Sequence, residues 1–259
     1  MIIDAHAHLS DTEYGNNDLY QAQLREAGIE RAVVVPGGMM DVRRMTDYIT
    51  GRAKPEKPVP DNTYVSTACS LSSGKMTGFA CIDPHDPKGP ETLENLLKAG
   101  FRGLKLSPMS HQFSFASKGI AELTEICGDF GVPVYTHTVF SPGASTAKFV
   151  SLSRRFPKVN FILGHMGFGP ADQEGLEAAV TYDNFFLETS TGSFLHIKES
   201  VRRAGPSKVI FGSEFPLSHP KAELAKILLL GLKAGDLDRV LSKNIAQLTG
   251  MVLTGGDAP

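Results

Sequence analysis

The residues with the clearest capacity for chemistry open the chain, Met1-Ile2-Ile3-Asp4-Ala5-His6-Ala7-His8. Ile2 and Ile3 read as the start of a buried strand, and side chains alternate along a strand, so His6 and His8 share a face. Their Cα atoms then stand roughly 6.6 Å apart, two strand rises of about 3.3 Å each. Both imidazoles can lean onto one metal ion at about 2.1 Å, the usual zinc–nitrogen distance. His-x-His by itself also suits a polar, fraying strand end, so the choice rests on whether later strands end in further ligands.

Three later apolar runs do end in one: Val134-Tyr135-Thr136-His137, Ile162-Leu163-Gly164-His165 and Ile210-Phe211-Gly212-Ser213-Glu214. Parallel strands in a barrel place their C-terminal ends on one rim, so His6, His8, His137, His165 and Glu214 converge there although they span most of the chain. An imidazole-rich set with one carboxylate and no thiolate suits a divalent metal, first of all zinc (Zn2+), with manganese, iron, cobalt or nickel as alternatives. Three or four protein ligands leave a position for water, and the ion lowers that water's pKa to make a hydroxide nucleophile. Glu214 is then placed to take the proton.

The elements that must position these residues follow a repeating pattern of short apolar strand, polar or Gly/Pro loop, and amphipathic helix. Strands are predicted at Ile2–His8, Ala32–Pro36, Gly78–Asp83, Arg102–Ser107, Val132–His137, Asn160–His165, Phe185–Thr189 and Val209–Gly212. Helices are predicted around Asp18–Ala27, Asp41–Thr50, Asn62–Leu71, Glu91–Ala99, Lys118–Phe130, Ala144–Phe156, Gln173–Tyr182, Leu195–Ala204 and Pro220–Leu230. Strands alternating with helices imply parallel pairing with right-handed crossovers. Eight such units fit an α/β fold, a single-domain, distorted (β/α)8 TIM barrel over residues 1–253. A doubly wound open sheet is the alternative, but no Gly-x-Gly-x-x-Gly follows the first strand. The rhythm breaks between strands two and three, where a Pro- and Lys-rich connector at 51–60 reads as a solvated linker or as part of a wall beside the catalytic face. Residues 254–259 read as a disordered tail.

Composition narrows the function classes. Hydrophobic residues make up 41% and charged residues 21%, with 26 basic against 28 acidic side chains. No Lys/Arg run gives nucleic acid or a membrane surface an electrostatic footprint. The longest apolar run, Ile227 to Leu230, is far too short to span a bilayer. No basic segment precedes an apolar run at the start, so a signal peptide is not expected. Cys69, Cys81 and Cys127 are odd in number, widely spaced and set among apolar or small residues, which suits core thiols in a reducing cytoplasm.

Asp4-Ala5-His6-Ala7-His8, the strand-end His137 and His165, and Phe211-Gly212-Ser213-Glu214-Phe215-Pro216 together resemble the amidohydrolase superfamily. The closer likeness is to the TIM-barrel metal-dependent hydrolase branch related to aminocarboxymuconate semialdehyde decarboxylase. Gly78 to Pro84, Phe101 to Pro108 and Asn244 to Leu248 extend the resemblance over nearly the whole chain. It implies that His6, His8, His137 and Glu214 bind the metal, and that His165 is catalytic, contacting the water or a second metal. Lys105 takes the place where binuclear relatives carry a bridging carboxylated lysine. Its Gly-Leu-Lys-Leu setting looks more like the mononuclear branch, where it would meet substrate or stay structural. Deoxyribonuclease-like relatives usually have Glu at that point, so Lys105 counts against nuclease activity. The resemblance also implies a homodimer. One departure is the strand-eight acid, normally Asp and here Glu214, one methylene longer.

Phenylalanines follow several strand ends, and Phe140, Phe168, Phe194 and Phe215 would form an apolar pocket wall for a small-molecule substrate with a ring or hydrocarbon part. Three functions follow. The first is a metal-dependent hydrolase of an amide, ester or lactone, and the second a non-oxidative decarboxylase of an aromatic or unsaturated acid. The third is a barrel impaired by the Asp-to-Glu change.

Overall fold

The predicted apolar runs all form strands, and their pairing closes a barrel. The computed structural model describes residues 1–54 and 59–253. Its strands are β1 (Ile3–Leu9), β2 (Arg31–Pro36), β3 (Met76–Gly78), β4 (Ala80–Cys81), β5 (Leu104–Leu106), β6 (Val134–Thr136), β7 (Phe161–Leu163), β8 (Phe185–Glu188) and β9 (Val209–Ile210). All neighbours pair in parallel, in the order β1-β2-β3 and β4-β5-β6-β7-β8-β9. β3 and β4 are two halves of one stave: Phe79 between them donates to the Val34 carbonyl at 2.9 Å, and Ala80 donates to Gly103 at 2.9 Å. The chain there leaves β2 for β5, which is why the observed stave begins and ends two residues before the predicted one. Closure comes from Ala5 and His8, whose N–H groups donate to the Phe211 and Phe215 carbonyls at 3.0 and 2.7 Å. The result is the expected single-domain (β/α)8 barrel with eight staves.

The helices sit where the apolar periodicity placed them, including α1 (Asn17–Ala27), α3 (Asn62–Leu71) and α9 (Phe194–Ala204). The predicted helix over Asp41–Thr50 divides into a 3-10 turn at Val42–Arg44 and the short α2 (Met45–Ile49). Asp41 ends the preceding loop by accepting from the Arg43 N–H at 3.0 Å, a cap that holds only one turn. Residues 55–58 of the Pro/Lys-rich connector, and the whole tail 254–259, lie outside the described residues. No helix among the described residues is long and apolar enough to cross a membrane.

Two apolar layers result. Ile3, Ala5, Val33, Val35, Phe79, Tyr135, Ile162 and Ile210 fill the barrel, closed below by Ile245 and Leu248 of α12 (Asn244–Thr249). Ala7, Leu9, Ala32, Val34, Leu104, Leu106, Phe161 and Phe185 face the helices instead. The first strand changes faces part-way: Asp4 pairs with Ala32 but Ala7 pairs with Val34, so three steps on β1 match two on β2. This bulge turns His6 and His8 onto the inner face that Ile3 and Ala5 began, and leaves Asp4 among the outer contacts.

Asp4 thereby becomes a clamp. Its carboxylate accepts from Tyr20 Oη of α1 at 2.8 Å, Ser213 N at 2.8 Å, Ser213 Oγ at 2.5 Å and His6 N at 3.1 Å. Burial pushes its carboxyl up to about 6 against those four donors, so it is ionised at neutral pH and ties the first strand to the turn before Glu214. Asp4→Ala leaves buried donors without an acceptor, and lowers the free energy of unfolding by about 2–4 kcal/mol. A lowered urea midpoint at pH 7 is the readout; an unchanged midpoint would show that the clamp contributes nothing.

Candidate active site

His6, His8, His165 and Glu214 meet at the C-terminal rim of the barrel. His6 is fully buried, and its Nε2 lies 3.0 Å from His8 Nε2. Glu214 brings Oε2 to 2.7 Å from His6 Nδ1 and Oε1 to 3.5 Å from His8 Nε2. His165 Nε2 stands 3.8 Å from Glu214 Oε2. Among the described residues, two groups of three side chains could hold an ion, His6 with His8 and Glu214, and His6 with His165 and Glu188. His137 stays outside both, with its Nε2 buried and unpartnered and its ring 6.2 Å from that of His165.

The partners of each ring fix which nitrogen carries the proton. Tyr135 Oη donates to Glu188 at 2.8 Å, so at 2.6 Å it can only accept from His6 Nδ1. His8 Nδ1 donates to the Pro36 carbonyl at 3.2 Å, and His165 Nδ1 to the Ser190 carbonyl at 3.3 Å. With Nδ1 of each ring bonded to an oxygen, Nε2 is the nitrogen turned inward, and Lys105 Nζ lies 3.0 Å from that of His6. Ligands about 2.1 Å from one tetrahedral ion lie roughly 3.4 Å apart, near the observed His6–His8 separation of 3.0 Å. Two lone pairs so close repel unless a proton or a cation lies between them; the raised His6 favours a proton there, which a divalent ion would replace. The orphaned His137 Nε2 adds a fourth donor, so these residues fit a divalent metal.

Electrostatics agree with that reading. Burial lowers His8 to about 3 and His137 well below its ordinary value, so both are neutral. Burial lowers His165 as well. Burial is the largest effect on His6 and lowers it, as does Lys105, but Glu214 and Glu188 together prevail and raise His6. Glu214 goes the other way: burial raises it, yet His6, His8 and His165 hold it well below the carboxylate range.

Glu214 adopts φ of 60°, a left-handed conformation, and so do His165 at 60° and Thr191 at 54°. Non-glycine residues rarely take it, and runs of them mark sites where surroundings dictate geometry. His165 accordingly lies not at the end of β7, which stops at Leu163, but in the tight turn after it.

Lys105 is inside the barrel rather than on the wall. It is 1% exposed, its Nζ lies 3.0 Å from His6 Nε2 and 3.9 Å over the Tyr135 ring, and burial lowers it to about 8. Above the histidines opens a cleft of about 240 Å³ whose lining includes His8, His137, His165, Glu214 and Phe168. Phe140 stands at the outer lip, 93% exposed and 6.1 Å from Phe168. Phe194 lies outside the lining at the start of α9. Phe215 corrects the expectation of a pocket wall: it is 1% exposed and packs on Tyr20 at 4.7 Å, because the turn that presents Glu214 sends the next side chain into the core.

Sequence reasoning missed Glu188 and Tyr135. Glu188 is wholly buried and accepts from Tyr135 Oη, Ser190 Oγ at 2.8 Å and His165 N at 3.3 Å. Burial would raise its carboxyl, but His6, His165 and Ser190 hold it at about 2. A charged residue ending Phe185-Phe186-Leu187, and a tyrosine two before His137, were the available signals. Gly212 and Gly164 make room for this network, since a Cβ would stand 2.3 Å from Glu188 Oε1 or 2.6 Å from Tyr135 Oη.

A family model described as amidohydrolase matches residues 3–250. No curated protein matches the sequence. Among solved structures, 2,6-dihydroxybenzoate decarboxylase from Rhizobium is similar at 16% identity, covering 96% of this chain and 98% of that one, with TM-score 0.72. A probable 2-pyrone-4,6-dicarboxylic acid hydrolase from Acinetobacter baumannii is similar at 14% identity, covering 96% and 99%, with TM-score 0.70. A 5-carboxyvanillate decarboxylase from Novosphingobium aromaticivorans, complexed with manganese, is similar at 13% identity, covering 96% of each chain, with TM-score 0.70. At these identities the likeness is one of fold.

The proton assignments predict how a divalent ion would bind. Because His8 and His137 are already neutral and His6 alone is raised, uptake displaces close to one proton rather than three. Protonated His6 competes with the ion, so affinity weakens about tenfold per pH unit below the His6 pKa and levels off above it. Calorimetry of zinc or manganese binding in buffers of different ionisation enthalpy reads the proton count, and His8→Ala should weaken binding by about tenfold or more. Release of three protons would contradict the assigned burial effects.

Proposed function

The chain belongs to the amidohydrolase family, and we propose that it is a metal-dependent hydrolase that opens an amide, ester or lactone of a small molecule. The observation that carries this reading is the set of three inward Nε2 atoms beside a carboxylate at the floor of an open cleft. His6, His8, Glu214 and, through its orphaned Nε2, His137 would hold the ion. A divalent ion bound there supplies Lewis acidity toward a carbonyl oxygen and lowers the pKa of water.

The chain's own residues divide the remaining work. Glu214 was expected to take the proton, but its three imidazole neighbours keep it ionised and make it a poor base, so it serves as a ligand. His165 is the better proton acceptor. Its Nδ1–H is held by the Ser190 carbonyl, its Nε2 faces the cleft, and burial keeps it neutral. That nitrogen takes a proton from attacking water and returns it to the leaving group. Glu188 and Tyr135 hold the His6 tautomer and ring. A second reading, decarboxylation of an aromatic or unsaturated acid, is supported by the likeness to named decarboxylases. His165 would then deliver a proton to carbon.

On a panel of aryl esters, lactones and amides, His165→Asn lowers kcat by roughly 10²–10⁴-fold while bound metal is retained. Because burial shifts His165 below 6.5, kcat/KM falls as pH drops through a value under 6.5 and is flat just above it. Turnover of no panel member by the metal-loaded protein, together with carbon dioxide release from a dihydroxybenzoate, would replace hydrolysis with decarboxylation.

A further inference from the structure

The wall of the cleft carries more information than its floor. One side is built by the segment after β2, which contributes Met39, Met40, Met45 and Ile49; Met109 and Phe168 face them from the loops after β5 and β7. Among the described residues, the lining holds no Lys, Arg or Asp, and Glu214 is its one Glu. The cations of this segment are not among the lining residues and are paired with carboxylates. Arg43 binds Asp41 through Nε and Nη2 at 2.9 Å and lies 4.6 Å over the Tyr14 ring, while Arg44 and Arg52 meet Asp47 at 3.4 and 3.1 Å. Lys105 is covered by the barrel interior.

From this wall we infer that the substrate is uncharged away from its reacting group, and carries a hydrocarbon body about the size of one ring with a short substituent. The inference rests on the hydrolase reading and names its substrate class. A fixed charge against methionine side chains loses its hydration without gaining a partner, which costs far more than a polar group in water. The volume of about 240 Å³ lies just below the roughly 300–1,000 Å³ of sites for drug-sized ligands, so the cleft encloses about one ring with a short substituent. Unbranched, polarizable thioether chains reshape to their contents. The site therefore selects by absence of charge and by size, and accepts a range of apolar outlines.

The test uses metal-loaded protein and two ligands that share a metal-seeking head group, 4-methylbenzohydroxamate and 4-carboxybenzohydroxamate, with affinity read by calorimetry. The methyl form is expected to bind at least 30-fold tighter. Met45→Arg should narrow that ratio at least tenfold by giving the carboxylate a partner, and Met40→Lys serves as the second variant if the first loses its circular dichroism signature. Equal or tighter binding of the carboxylate form by the parent, or binding of neither ligand, overturns the inference. Binding is read without turnover, so a protein that prefers the methyl form yet hydrolyses no ester keeps this specificity and loses the hydrolase reading.

Discussion

Lone pairs of several imidazoles aimed at one buried point repel one another unless a proton or a cation separates them, and much of this structure is arranged around that constraint. Each ring has its outer nitrogen held by an oxygen acceptor: Tyr135 backed by Glu188, the Pro36 carbonyl, and the Ser190 carbonyl. These partners remove the freedom of the tautomer and of the ring plane, so the inner nitrogens are already oriented before any ion arrives. Lys105 Nζ at 3.0 Å from His6 Nε2 gives that lone pair a donor within the protein itself.

Holding such a centre requires the backbone to depart from easy conformations. Glu214, His165 and Thr191 all take left-handed φ values, and glycine at 212 and 164 lets Glu188 and Tyr135 approach the chain closely. The Asp4 clamp opposes this strain by fixing both strands that meet at the seam of the barrel. At position 214 the backbone is turned so that the carboxylate reaches His6, and the surrounding imidazoles set its charge.

The floor and the wall of the cleft are built in different ways. The floor is polar, buried and tightly bonded, whereas the wall after β2 is a short 3-10 turn and a five-residue helix carrying flexible apolar side chains. Change in the wall leaves the hydrogen bonds of the floor intact.

The amino-acid order alone determined the barrel and most of its rim. Strand and helix periods are local properties, and parallel strands must end on one side, so His6, His8, His165 and Glu214 were legible as a converging set. Phe215 was misread and Glu188 passed over because the direction of a side chain past a strand end depends on turns that hydrophobic period does not encode. Asp4 shows the limit most clearly. Strict alternation from Asp4 would place it beside His6 and His8, and only the bulge where β1 pairs with β2 sends the aspartate outward and the histidines in. The tautomers, the charge state of Glu214 and the missing cations of the wall were likewise decided by tertiary contacts, because each depends on what another strand or loop brings within hydrogen-bonding distance.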